Sequence, residues 1–368
     1  MRTSHGFFVL FYLAMGSFFL GIAIQQVLVF SLLLYQLVSA IPRGGWPHGG
    51  RPRYSWPVLL FLAATVISAL AFQAENGFRG NAEFYWALIA FYCIRRHQIP
   101  YLDWSRLFYI LVTLAVPGLL IALWVALSGK PIRFLQFEWI NGFLPNPSHF
   151  AEGYCLAAAW CLAYLHHCTR KREGMVLFAA LFLLGWLFFI NQNASGLISL
   201  MGLLIVFFAS LFLKPRSLVR WMPLFLLVSL AIHWYLGMAD MQRKDYVANS
   251  EVALSVFNDH PLLGTSHSHF SDYLGGDPKP PNLWLALLAE FGILGLACFL
   301  PLMIALIRRA FLLSQWEHEH WVVFALALSL FNYFQFSFLT YNLGNTSILL
   351  LYLLHWSIML QWPQRSHS

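Results

Sequence analysis

The sequence predicts an all-α integral membrane protein of about twelve transmembrane helices. Both termini are expected on the cytoplasmic side, with one long outer loop between helices nine and ten. Three observations predict this. The 368 residues are 60% hydrophobic and only 10% charged, where a soluble domain carries about 25% charged residues. The apolar residues fall in runs, and a run of about 20 residues crosses a bilayer. The basic residues gather in alternate loops between those runs, the pattern of chains that keep Lys and Arg on the cytoplasmic side.

The first run, residues 6–40, is too long for one span and suits two short ones, with a break near Gly21 to Gln25. It follows a basic start and contains no small-residue cleavage site, so it reads as a pair of spans rather than a removed signal peptide. Further runs lie at about 57–73, 82–94, 107–128, 150–168, 175–191, 195–213, 221–238, 282–307, 321–340 and 345–361, the second of these being the shortest. With the first end inside, the inner loops hold Arg2; Arg43, Arg51 and Arg53; Arg95, Arg96 and Arg106; Arg170, Lys171 and Arg172; Lys214, Arg216 and Arg220; Arg308 and Arg309; and Arg365. These are 16 of the 22 Lys and Arg, and every inner loop is basic. Five Cys lie in or beside apolar runs, so no disulfide framework is indicated. The chain reads as one polytopic domain over 1–368, with a long outer loop at 239–281 and a shorter one at 129–149. A transporter of two matched six-span halves fits less well, because the long loop follows span nine.

The long loop, beginning at Asp240 and ending at Pro281, is the polar centre of the chain. It carries His260, His267 and His269, six acids counting Asp240, and Arg243, Lys244 and Lys279. Loops held by a rigid scaffold are where function concentrates. The pI near 9.2 does not point to nucleic acid, because the basic residues sit in short clusters between apolar runs. There is no Gly-rich phosphate loop and no Walker sequence, so no nucleotide and no other cofactor is implied. An outward-facing site has no ATP or nucleotide sugar available. Its substrate must arrive already activated, and a glycan linked to a lipid pyrophosphate has that property.

Asn282 is followed after nine residues by Gly292 and then by Gly295, with Glu290 before the first Gly. Upstream stand Arg243, Tyr246 and the run NDHPLLG with Pro261 and Gly264. NPSHFAEG at 146–153 and NASGLISL at 193–200 each open a span. In order and spacing these segments resemble the bacterial O-antigen polymerase and O-antigen ligase family over roughly residues 130–300, more the polymerases than the ligases. The resemblance implies a GT-C-like membrane fold in the bacterial inner membrane with a periplasmic active face. It implies a glycosyltransferase of O-antigen, lipopolysaccharide or exopolysaccharide biosynthesis that is independent of metals and nucleotides. The substrate would be an undecaprenyl-pyrophosphate-linked oligosaccharide, and a flippase and a chain-length regulator would be partners. Two positions depart from the ligase pattern. Pro281 stands where ligases carry a His before the Asn, and Ala194 stands where they carry an Arg. The ligase, a non-enzymatic transporter of the same lipid-linked glycan, and an inactive homologue stay open as alternatives.

The chemistry of such a transfer needs cations for the charge developing on the leaving pyrophosphate and a base for the acceptor hydroxyl. Arg presents a bidentate fork to phosphate, so Arg243 is the first candidate, Arg133 the second, with Lys244 and Lys279 behind. His267, His269, His260, Glu152 and His149 compete for the base. His149 and Glu152 are three apart and share a helix face. His267 and His269 have alternate spacing but no third ligand close by, so no metal site is expected. Asn282 is a substrate-binding candidate and also a plain helix N-cap. Asn193 and its neighbours would line the outer mouth. Glu290, about 12 Å into its helix at 1.5 Å per residue, should face the bundle interior.

Overall fold

A computed structural model describes residues 5–40, 55–71, 94, 99–130, 132–134, 137–139, 147–191, 193–237, 240–266, 280–313, 321–339 and 346–362. Eleven of the twelve expected runs are helices there; the run at 82–94 lies outside the described residues except for Ile94. Among the described residues, six helices are long and apolar enough to cross a membrane, and four shorter apolar ones accompany them. The architecture is that of an all-α membrane protein.

Helix α1 (His5–Gly16) passes through a 3-10 turn (Ser17–Leu20) into α2 (Ile22–Ala40). The break falls at Gly21, whose φ of 121° is open to glycine and strained for other residues. Gly6 lies against the ring of Tyr35, so the two helices run antiparallel. Helix α3 (Ser55–Ala71) packs Phe61 edge-on against Phe291 and Phe299. Helix α4 (Trp104–Ser128) begins at Asp103, whose carboxylate accepts the amide of Arg106 at 3.0 Å, and ends at Gly129 in the left-handed region. A two-stranded antiparallel hairpin follows, β1 (Ile132–Phe134) with β2 (Phe137–Trp139).

The centre of the bundle is α5 (Pro147–His167), with α11 (Trp321–Leu339) and α12 (Thr346–Gln361) beside it. Gly153 is the one residue that lets α5 meet the ring of Phe18, since a Cβ there would sit 2.0 Å from it. Ala151 closes on Gly196 in the same way. Helices α6 (Lys171–Ile190), α7 (Ala194–Phe212) and α8 (Pro215–Ile232, continued by a π turn at His233–Gly237) surround this centre. They turn residues such as Phe182, Phe189 and Phe212 outward, the last 87% exposed, as a lipid-facing surface does. Helix α12 differs: every residue from Ile348 to Trp362 is buried. Its sequence is apolar all round, and here it is enclosed by protein.

Two expectations change. The segment starting at Asp240, read as loop, begins with a 20-residue helix, α9 (Asp240–Asp259), before α10 (Leu283–Leu313). Arg309, read as a loop anchor, lies in α10 and is 1% exposed. Its guanidinium donates to the carbonyls of Met359 and Trp362, two acceptors at the C-terminal end of α12. That geometry explains how an arginine is held inside the bundle.

Candidate functional site

The segment singled out by its sequence folds onto α10 as one unit. Ala253 and Val256, three apart on α9, pack against Ala289. Further along, Pro261–Ser266 runs beside a break in α10. The break is at Gly292, with φ 62° and ψ −163°. An unbroken helix would bond the amides of Ile293 and Leu294 to the carbonyls of Ala289 and Glu290. Instead those amides donate to Pro261 and Leu262 at 2.9 and 3.2 Å, and those carbonyls accept from Thr265 and Ser266 at 2.9 and 2.7 Å. All four groups are satisfied, as an apolar environment requires. From α3, the Ser68 hydroxyl reaches the carbonyls of Leu263 at 2.7 Å and Glu290 at 3.1 Å.

Two glycines make the contact close enough. A Cβ on Gly264 would lie 2.3 Å from the carbonyl carbon of Glu290, and one on Gly292 would lie 2.4 Å from that of Leu262. Both have positive φ, 63° and 62°. Ser266, the other end of the segment, is a non-glycine residue at φ 70° and is fully buried. Glu290 is 2% exposed at the break, inside the protein as its depth predicted.

Asn282 ties this unit to α9. Its side-chain oxygen accepts the amide of Leu285 at 3.0 Å, so it caps α10, and its amide donates to the Tyr246 phenol at 2.6 Å. Tyr246 donates in turn to the carbonyl of Phe338 at 3.3 Å. Burial raises the Tyr246 phenol above its ordinary value and the Asn282 bond works against that rise, so the phenol is a neutral donor. Position 243 is one helical turn before Tyr246. Asn282→Ala removes the cap and the Tyr246 bond together and is expected to cost about 1–2 kcal/mol. Asn282→Asp keeps the cap, and thermal unfolding in detergent should order wild type above Asp above Ala.

The other sequence candidates fall only in part among the described residues. Arg243 and Lys244 have their backbone in the first turn of α9, and Arg133 lies on β1 in register with Glu138; the side chains of all three lie outside the described residues. His267, His269 and Lys279 also fall outside them. Asn193 accepts the amide of Gly196 at 2.9 Å and so caps α7. His149 is half-buried at the start of α5. Glu152 is 1% exposed and does not stand at an open mouth. Around it are residues the sequence reading passed over. Asn332 of α11 donates to the Glu152 backbone carbonyl at 3.2 Å and to the Tyr352 phenol of α12 at 2.9 Å. The Tyr352 ring stands edge-on to that of Tyr333, with centroids 4.8 Å apart. The signal that could have found them is a polar side chain within an apolar run, which inside a membrane is costly and therefore informative.

Among the described residues no group of three or more His, Cys, Asp and Glu side chains is placed to hold a metal ion. No protein-family model matches this chain, and no curated protein matches it.

Proposed function

We propose that this chain is a twelve-span bacterial inner-membrane glycosyltransferase with both termini cytoplasmic. It polymerises undecaprenyl-pyrophosphate-linked oligosaccharide repeat units at the periplasmic face, in O-antigen or exopolysaccharide biosynthesis. The acceptor hydroxyl oxygen of an incoming unit attacks the anomeric carbon of the growing chain. The bond from that carbon to the pyrophosphate oxygen breaks, its electron pair leaves with the lipid pyrophosphate, and the hydroxyl proton passes to a base. Arg243, with Arg133, Lys244 and Lys279, is assigned to the pyrophosphate.

The observation that supports this reading most is the union of Tyr246, Asn282 and Pro261–Ser266 with the broken α10. The resemblance to the polymerase and ligase family rests in part on these same stretches. Their packing into one polar unit against an apolar bundle is what a shared site requires. A second reading has its own observation: a discontinuous helix such as α10 is also a feature of membrane transporters. The enzyme reading is tested with purified protein and a synthetic lipid-pyrophosphate repeat unit, without nucleotide. Chain lengthening supports the polymerase. Transfer only to an added lipid A-core acceptor identifies a ligase. Translocation in vesicles without glycan transfer identifies a transporter.

A further inference from the structure

We propose that the interior centre at Glu152 binds one small cation, a proton or a sodium ion. This goes beyond the glycan-transfer reading and stands or falls separately from it. The centre is made of oxygen groups from three helices: the Glu152 carboxyl on α5, Asn332 and the Tyr333 phenol on α11, and the Tyr352 phenol on α12. Each of these residues is at most 1% exposed.

The side-chain amide of Asn332 is oriented by its neighbours. Its nitrogen donates to the Glu152 carbonyl at 3.2 Å, and a carbonyl can only accept, so the nitrogen must stand on that side. The same nitrogen reaches Tyr352. The Asn332 oxygen is left buried with no hydrogen-bond partner, and so is the Tyr333 phenol oxygen. Buried polar atoms are almost always satisfied, and an unsatisfied acceptor is costly. Asn332 and Tyr333 both meet Tyr352, the first through its amide at 2.9 Å and the second ring to ring at 4.8 Å; with Glu152 about 8 Å along α5, these side chains offer the oxygen types that hard cations take: carboxylate, amide oxygen and hydroxyl. The enclosure selects the size of the ligand. Side chains this buried leave no room for a sugar.

The titratable groups facing the carboxyl are named by the packing. On α5 itself they are Cys155 and, one turn earlier, His149. From α11 comes Tyr333 and from α12 Tyr352. Helix α7 presents the backbone carbonyl of Gly196, to which the Cys155 thiol donates at 3.5 Å. Phe18 of the 3-10 turn closes on Gly153, and α4 contributes the Ala115 carbonyl, bonded by Tyr154 at 2.8 Å. The groups these three elements present, the Gly196 and Ala115 carbonyls and the Phe18 ring, do not titrate.

The test uses the full chain purified in detergent, with thermal unfolding as the readout. Sodium chloride replaces choline chloride at constant ionic strength in one series. The pH runs from about 6 to about 9 at fixed salt in the other. Sodium binding raises the wild-type midpoint along the first series. Proton binding makes the wild-type midpoint fall with rising pH by more than the Glu152→Gln midpoint does. Glu152→Gln is expected to lose whichever response the wild type shows. Tyr333→Phe deletes one orphaned oxygen and guards against a misfolded Gln variant. It is expected to need about threefold more of the cation for half the response. A wild type that responds in neither series beyond Glu152→Gln, or a Tyr333→Phe half-point equal to wild type, overturns the proposal.

Discussion

Gly292→Ala is expected to destabilise the protein by about 3 kcal/mol or more, the sum of backbone strain and overlap. The new Cβ would lie 2.4 Å from the carbonyl carbon of Leu262, which is backbone and cannot rotate away as a side-chain tip can. The residue would also have to hold a φ of 62° without glycine's freedom. Relieving the overlap means withdrawing Pro261–Ser266, which strands the amides of Ile293 and Leu294 and the carbonyls of Ala289 and Glu290. Gly264→Ala should behave alike, because it meets the same contact from the other side. Since both substitutions break one contact, the double variant is expected to cost less than the sum of the singles. Gly174→Ala, where the nearest atom is a leucine methyl at 3.7 Å, is the control and should change little. Detergent unfolding midpoints and protease cleavage between α9 and α10 read all four.

Arg243→Ala is expected to reduce glycan chain lengthening by about 10²–10³, the scale of losing one preorganised charge partner in a transition state. The reason is positional. The first turn of α9 lies a helical turn from Tyr246, and Tyr246 is held by Asn282 at 2.6 Å, so the backbone at 243 is set by a packed element. Arg243→Lys keeps the charge but loses the bidentate fork, and an intermediate rate is expected. The unfolding midpoint should not move for either variant. A fall in activity matched by a fall in midpoint would assign Arg243 to stability instead.

Much of the helical framework is legible in the sequence, because span length and loop punctuation are local properties. The break at Gly21, the Asn282 cap and the bounds of α7 and α11 come from residue types at fixed offsets. Helix α9 is less legible. Its run DMQRKDYVANSEVALSVFND has no apolar stripe to mark it against loop, and among its described side chains only Ala253 and Val256 are fully buried, with Val252 partly so. The enclosure of α12 is invisible for a different reason. A lipid chain and a leucine side chain are equally apolar, so a span surrounded by protein and one surrounded by lipid read alike. Arg309 looks like a loop anchor because a charge at the end of an apolar run normally is one, and its acceptors lie fifty residues away at Met359. The Glu152 centre depends on three helices meeting, and Asn332 and Tyr352 have no mark in sequence beyond being polar where apolar residues prevail.

The most direct measurement of the central claim is the stoichiometry of the reaction on purified protein with a lipid-pyrophosphate repeat unit. Product chains and released undecaprenyl pyrophosphate are counted together, without nucleotide. The account predicts a ladder that grows by whole repeat units, with one lipid pyrophosphate released for each new glycosidic bond and both lost in Arg243→Ala. Release of lipid pyrophosphate without lengthening, or lengthening that requires a nucleotide, would contradict it.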